Sequence, residues 1–128
     1  LHPRTKWQVA CRTTLGRLFQ MKNLSTISSL GYIDFLALMS QARLVMTDSG
    51  GVQEESTVLK IPCLTLRENT ERPITVEEGT NQLVGTNSDR IIKASEKILQ
   101  KEMRKGQRPA LWDGRTAQRI VKVLNEKL

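Results

Sequence analysis

The sequence predicts an α/β fold in which a parallel β-sheet is flanked by helices. Two observations support this prediction. Stretches with apolar residues at every third or fourth position, typical of amphipathic helices, alternate with short runs of consecutive apolar residues, typical of buried strands. In addition, 128 residues with 38% apolar and 26% charged side chains fit one globular domain and exclude a disordered or fibrous chain.

The N-terminal third of the chain is predicted to contain two helices and one strand. Thr5 and Gln8 have the spacing of a capping box, and apolar residues follow at helical intervals, which predicts a helix over residues 5–22. A short strand is expected near Ser25–Ile27. Apolar residues at 3–4 spacing then predict a second helix over about residues 32–42.

The rest of the chain is predicted to alternate strands and helices and to end in two helices. The predicted order is a strand at 44–47, a helix from about 50 to Leu59, a strand at 62–66, a short helix at about 75–78, a strand at 82–84, and helices covering 91–99 and 117–128. The segment Gly106–Pro109 is expected to separate the last two helices.

The net charge of +7 raises the question of nucleic-acid binding. Residues 1–28 carry five basic and no acidic side chains, and residues 99–128 carry eight basic and three acidic ones, so the basic excess lies at the two ends. The middle of the chain is slightly acidic. The few aromatic residues are scattered and form no base-stacking pattern. We therefore expect no nucleic-acid partner.

No membrane span is expected, because the longest apolar run, Phe35–Met39, is far shorter than the roughly 20 residues that a span needs. Cys11 and Cys63 form no C-x-x-C motif, so we expect two buried, reduced thiols of a cytoplasmic protein, with a single disulfide as the alternative. No secretory signal is visible and Leu1 is not a start methionine, so a preceding segment is expected to have been removed.

A candidate ligand site follows the strand at 44–47. The sequence Asp48-Ser49-Gly50-Gly51 lies at the carboxyl end of that strand and directly before a helix. Ligands of parallel α/β sheets bind at such ends, glycines admit a ligand close to the backbone, and a helix N-terminus favours anions. The pattern predicts a phosphate or diphosphate site, and a capped helix start with a tight turn is the alternative.

Charged residues near this motif are further candidates. One carboxylate of Glu54 or Glu55 could accept both hydroxyls of a ribose, although acidic groups in a first helical turn also stabilise the helix dipole. A metal site built from Asp48 and these two glutamates is possible, but no further residue is placed to complete it. Arg72, held by Pro73 after the next strand, can donate two parallel hydrogen bonds to a phosphate, and a surface salt bridge to a nearby glutamate is the alternative.

Two long motifs make the sequence resemble a known family. They are Thr47–Glu55 (TDSGGVQEE) and Leu66–Pro73 (LRENTERP). Shorter matches are Glu78–Asn81, Leu83–Thr86, His2–Thr5 and Trp112–Arg115. Together they resemble the C-terminal domain of the non-hydrolysing UDP-N-acetylglucosamine 2-epimerases over nearly the whole chain.

The resemblance implies a GT-B fold, in which two Rossmann-like domains face each other across a cleft. Residues 1–128 would form a single UDP-binding domain, a truncated C-terminal half from which the N-terminal domain is absent. The implied UDP-binding residues are Ser49, Gly50 and Gly51 at the diphosphate, Arg72 at a phosphate, Glu55 at the ribose hydroxyls and Phe35 near the uracil. For Phe35, which lies on an apolar helical stripe, core packing is the alternative.

The resemblance also implies an activity: interconversion of UDP-N-acetylglucosamine and UDP-N-acetylmannosamine by elimination and re-addition of UDP. The catalytic carboxylates of the family and its His-Arg-x-Glu-Asn segment are expected upstream, so no residue of this chain is expected to be catalytic. His2, the only histidine, is expected to be structural. Ile74 stands where many members carry an acidic residue and part of the family carries an aliphatic one, a departure expected to concern the substrate more than the nucleotide site.

The implied partners are UDP or UDP-N-acetylglucosamine and a second copy of the full-length protein in a homodimer. No metal ion and no cofactor are expected. Two alternatives stay open: a UDP-sugar-binding module without activity of its own, and a fragment of a GT-B glycosyltransferase.

Overall fold

The computed structural model of the chain describes residues 21–100 and 106–128. The elements in this part are helix α1 (Tyr32–Ser40), strand β1 (Val45–Thr47), helix α2 (Gly50–Leu59), strand β2 (Cys63–Thr65), short helix α3 (Ile74–Glu77), strand β3 (Asn81–Leu83), helix α4 (Ser88–Leu99) and helix α5 (Thr116–Lys127). No helix in the described ranges is long and apolar enough to cross a membrane.

The predicted elements between residues 32 and 128 are confirmed, with ends that differ by a few residues. The helix predicted over 5–22 lies outside the described residues except for its last two positions. The strand predicted near Ser25–Ile27 is wrong, since residues 25–27 have no strand conformation. The one large apolar side chain there, Ile27, is 49% exposed, so the segment lacks the buried face that favours a strand.

The chain divides into two compact units, Leu1–Phe35 and Leu36–Leu128. The described part of the first unit is a non-helical stretch followed by the first turn of α1. The second unit contains the whole sheet and helices α2 to α5. The candidate anion site therefore belongs to the second unit.

The sheet has three strands in the order β1-β2-β3, and both pairs are parallel. In its register Val45 pairs with Cys63, and Cys63 pairs with Asn81. All three strands therefore end at the same edge, where the chain leaves β1 toward α2, β2 toward the loop before α3, and β3 toward α4. This edge collects segments that are far apart in sequence.

One face of the sheet carries the apolar core. Leu64 is fully buried and clusters with Val84 and with Ala94 and Ile98 of α4, and partly buried apolar residues surround them. The side chain of Asn87 caps α4 by accepting a hydrogen bond from the Arg90 N–H at 3.1 Å.

The opposite face of the sheet is buried but polar. Because side chains alternate along a strand, Cys63 and Thr65 point away from the Leu64 side. They lie under α2, whose Gln53, Ser56 and Thr57 are all fully buried. These three helical positions form an inward stripe without a single large apolar side chain, so polar contacts attach α2 to the sheet.

Cys63 is a buried free thiol in the middle of this polar face, as predicted, whereas Cys11 lies outside the described residues. Burial raises the pKa of the Cys63 thiol, and hydrogen bonds with Ser56 and Thr65 oppose that effect. The folded state therefore holds the thiol proton more tightly than the unfolded state does.

This pKa difference predicts a loss of stability at alkaline pH. A group whose pKa is higher in the folded state stabilises the fold at low pH, and the stabilisation disappears as the pH rises above about 9. The free energy of unfolding of the wild type should fall more steeply above about pH 9 than that of a Cys63→Ala variant, measured by urea titration. Parallel pH profiles for the two proteins would contradict the assignment.

Candidate functional site

The carboxyl end of β1 leads into the N-terminus of α2 through Asp48 and Ser49. The Ser49 N–H donates to Thr47 Oγ1 at 3.0 Å, and the Ser49 carbonyl accepts from the Gln53 N–H at 3.2 Å. Ser49 is the extended N-cap residue, but its hydroxyl does not cap the helix. The N–H groups of the first helical turn have no acceptor within a helix. The exposed Ser49 hydroxyl and these N–H groups form a donor-rich helix start.

The fold itself does not require glycine at positions 50 and 51. Among the described glycines only Gly85 and Gly114 have a positive φ. A Cβ placed on Gly51 would meet only Ser49 Oγ, at 4.0 Å. At Gly50 it would lie 3.0 Å from a carboxylate oxygen of Glu71, an exposed and adjustable side chain. The two glycines therefore leave bare backbone, exposed to solvent at Gly51 and beside the mobile end of the Glu71 side chain at Gly50.

The loop after β2 lies beside this helix start. Its Glu71 pairs with Arg67 at 3.2 Å, and Arg72 Cγ would be 3.9 Å from a Cβ on Gly50. Arg72 Nε lies 2.7 Å from Glu54 Oε1, an ion pair between two side chains that are each 41% exposed. Among the described residues Nε has no acceptor in line with its N–H bond. The predicted diphosphate residues of the two motifs are thus brought together.

The guanidinium of Arg72 is only partly used by these contacts. Its Nη1 donates to the Glu71 carbonyl at 3.3 Å, and Nη2 makes no hydrogen bond with the described residues. The salt bridge to a glutamate that the sequence left as an alternative therefore exists, with Glu54. It leaves one edge of the guanidinium available to a ligand.

The structure gives different environments to the two neighbouring glutamates. Glu54 is paired with Arg72, whereas Glu55 forms no ion pair with any described residue, and both are half-buried.

In the described part of the chain no three acidic, cysteine or histidine side chains are grouped closely enough to hold a metal ion. Phe35 lies half-buried on α1 at the end of the first unit, and its place near a uracil stays a prediction.

Below the site lies a network of buried amides and hydroxyls that the sequence analysis missed. Gln53 Oε1 accepts hydrogen bonds from Thr70 Oγ1 at 2.6 Å and from Asn81 Nδ2 at 3.1 Å. Asn81 Nδ2 also donates to Thr75 Oγ1 at 3.1 Å, and Asn81 Oδ1 accepts from Thr65 Oγ1 at 2.7 Å. The signal for this network was the polar stripe of α2, because a helix facing a sheet normally presents apolar residues.

The network also holds the backbone of Arg72. Its N–H donates to Thr70 Oγ1 at 3.0 Å, and its carbonyl accepts from Thr75 Oγ1 at 2.7 Å. The only buried donor of the Gln53 side chain, Nε2, makes no hydrogen bond with the described residues.

Three sequential parallel strands, helices on both faces and a glycine-initiated helix at the carboxyl edge define a Rossmann-like α/β domain, the predicted fold class. The chain belongs to the UDP-N-acetylglucosamine 2-epimerase family, whose model matches residues 1–125.

Relatives from two organisms support this membership. The UDP-N-acetylglucosamine 2-epimerase of Methanocaldococcus jannaschii is 47% identical over 124 residues, which cover 97% of this chain and 33% of the relative. The enzyme of the same name from Methanococcus maripaludis is 39% identical over 124 residues with the same coverage. The chain thus spans about a third of the length of these relatives.

Solved structures agree with the fold. The UDP-GlcNAc 2-epimerase of Methanocaldococcus jannaschii matches with a TM-score of 0.83 at 44% identity, over 98% of this chain and 34% of that one. The same enzyme in complex with UDP-GlcNAc and UDP matches with a TM-score of 0.81, at the same identity and coverage.

The open surroundings of Gly51 predict that its substitution is tolerated by the fold. Gly51→Ala should leave the stability of the unliganded protein unchanged or raise it by up to about 1 kcal/mol, because alanine favours the helix and restricts the unfolded chain. Gly85→Ala is the contrasting control, since Gly85 has φ 65° and a Cβ there would overlap the Glu68 carboxylate. Thermal unfolding should show a lower Tm for Gly85→Ala only.

Proposed function

We propose that this chain binds the UDP part of UDP-N-acetylglucosamine, as the C-terminal half of a GT-B protein that interconverts this sugar nucleotide and UDP-N-acetylmannosamine. The observation that carries the proposal is the glycine pair at 50–51, which the fold does not need and which exposes helix N–H groups. Bare backbone at a helix N-terminus suits the close approach of a diphosphate.

The diphosphate would be held from two sides. Ser49, Gly50 and Gly51 offer a hydroxyl and backbone N–H groups, and Arg72 offers the guanidinium edge that Glu54 does not occupy. Charge-assisted bonds of arginine to phosphate are stronger than neutral ones. The nearness of Arg72 to Gly50 supports a shared ligand.

The nucleoside would be recognised by the remaining predicted residues. Glu55, which has no ion-pair partner among the described residues, would accept hydrogen bonds from the ribose hydroxyls. Phe35 would lie near the uracil, a role that rests on the family resemblance.

In the proposed reaction UDP leaves the sugar and is added back after inversion at C2. This chain would stabilise the negative charge that grows on the departing diphosphate, because its donors are already in place before the bond breaks. The groups that move protons at the sugar would come from the rest of the full-length protein.

The assembly and location of the protein are parts of the same proposal. Residues 1–128 would belong to one UDP-binding domain, and the full-length protein would act as a homodimer in the cytoplasm. The free, buried Cys63 supports a reducing compartment, and the homodimer rests on the family resemblance.

The phosphate role of Arg72 predicts a binding defect. Arg72→Ala in the full-length protein should weaken UDP binding about tenfold or more, measured by calorimetric titration. Arg90→Ala is a matched control, because Arg90 also follows a strand and pairs with a glutamate, Glu68, at 3.4 Å. Equal affinities of the Arg72→Ala variant and the wild type would refute the role.

The role of the glycine pair predicts a second defect in UDP binding. Gly51→Ala should reduce UDP affinity about tenfold or more, since a methyl group would stand between the diphosphate and the helix N–H groups. The Tm of the unliganded variant provides the control for folding. A variant that keeps both its stability and its affinity would remove the main support for the proposed site.

A further inference from the structure

We infer that the buried amides of Gln53 and Asn81 are positioning groups for Arg72, acting through the hydroxyls of Thr70 and Thr75. The inference rests on the proposed function, since it assigns to these amides the task of holding a phosphate-binding arginine in place. None of the four side chains needs to touch the nucleotide.

The backbone of Arg72 is fixed on both sides of its Cα. Its N–H donates to Thr70 Oγ1 at 3.0 Å, and its carbonyl accepts from Thr75 Oγ1 at 2.7 Å. Because these bonds hold the backbone on either side of the Cα, they fix the direction in which the side chain leaves the loop. The ion pair with Glu54 then restrains the guanidinium itself.

The two hydroxyls are held in turn by the buried amides. Gln53 is 0% exposed and Asn81 is 5% exposed, and Gln53 Oε1 accepts from both Thr70 Oγ1 and Asn81 Nδ2. Gln53 belongs to α2, two residues after Gly51. The network thus ties the helix that carries the glycine pair to the loop that carries Arg72.

The number of donors and acceptors in the network allows only one orientation for the Thr75 hydroxyl and for the amides of Asn81 and Gln53. The Arg72 carbonyl can only accept, so the single proton of the Thr75 hydroxyl points to it, and Thr75 Oγ1 must accept from Asn81. Asn81 therefore presents its Nδ2 to both Thr75 and Gln53, which requires Gln53 to present Oε1.

The Thr70 hydroxyl also has a single possible orientation. Its oxygen accepts from the Arg72 N–H, so its proton points to Gln53 Oε1 at 2.6 Å. A network with no alternative proton arrangement holds its members in a single geometry. The distance between the glycine pair and Arg72 is therefore set before any ligand arrives.

A test uses two substitutions of the half-buried Thr70 in the full-length protein. Thr70→Val keeps the shape but loses the hydroxyl, and it should weaken UDP binding about fivefold or more. Thr70→Ser keeps the hydroxyl and should stay within about twofold of the wild type. Gln53→Met, which loses the acceptor, should resemble Thr70→Val, and the two defects should not add when combined.

Two further measurements separate positioning from general damage to the fold. Binding of uridine, which has no phosphate, should be unchanged in Thr70→Val, as followed by NMR titration. In an Arg72→Ala background Thr70→Val should cause no additional loss of UDP affinity. Thr57→Val is the control for loss of a hydroxyl from the same polar layer, because Thr57 is as fully buried on α2 as Gln53 but its hydroxyl makes no hydrogen bond with the described residues.

The outcomes distinguish this inference from the proposed function. A wild type that does not bind UDP overturns the proposed function and this inference with it. A wild type that binds UDP, together with a Thr70→Val variant of equal affinity, overturns the inference alone. A loss of uridine binding equal to the loss of UDP binding, or a Thr70→Ser defect as large as that of Thr70→Val, also overturns it.

Discussion

The buried polar layer between α2 and the sheet is the constraint on which the arrangement of the site depends. Hydrogen bonds are directional, so an interior built from amides and hydroxyls has far fewer acceptable geometries than an apolar one. Gln53, Thr65, Thr70, Thr75 and Asn81 come from five separate segments, yet each satisfies a neighbour. Any displacement of one segment would leave a buried polar group unpaired, which costs about 1–3 kcal/mol.

The two faces of the sheet therefore contribute differently to stability and to the geometry of the site. The face with Leu64, Val84 and α4 buries apolar surface, whose contribution grows with the area removed from water and depends little on direction. The polar face adds less to the free energy of unfolding, because its groups exchange bonds with water for bonds within the protein. Its directional hydrogen bonds instead fix the relative positions of the segments that follow β1 and β2 and carry the site residues.

The sequence could predict what depends on periodicity and local chemistry. It located the helices and strands after residue 32, and the parallel topology implied that Ser49 and Arg72 would share an edge. It could not predict the partners of buried polar groups, because the bond between Gln53 and Asn81 joins residues 28 positions apart. The strand expected at Ser25–Ile27 failed for a related reason: strand formation depends on tertiary burial, which a three-residue pattern does not reveal.

The register of the sheet has a consequence for how the chain reaches its fold. Val45, Cys63 and Asn81 are aligned across neighbouring strands, and each pairing joins strands that are consecutive in sequence. Closing a short loop loses less chain entropy than closing a long one. The second unit can therefore assemble by adding one strand and its connecting segment at a time, which loses less chain entropy than pairing strands that are distant in sequence.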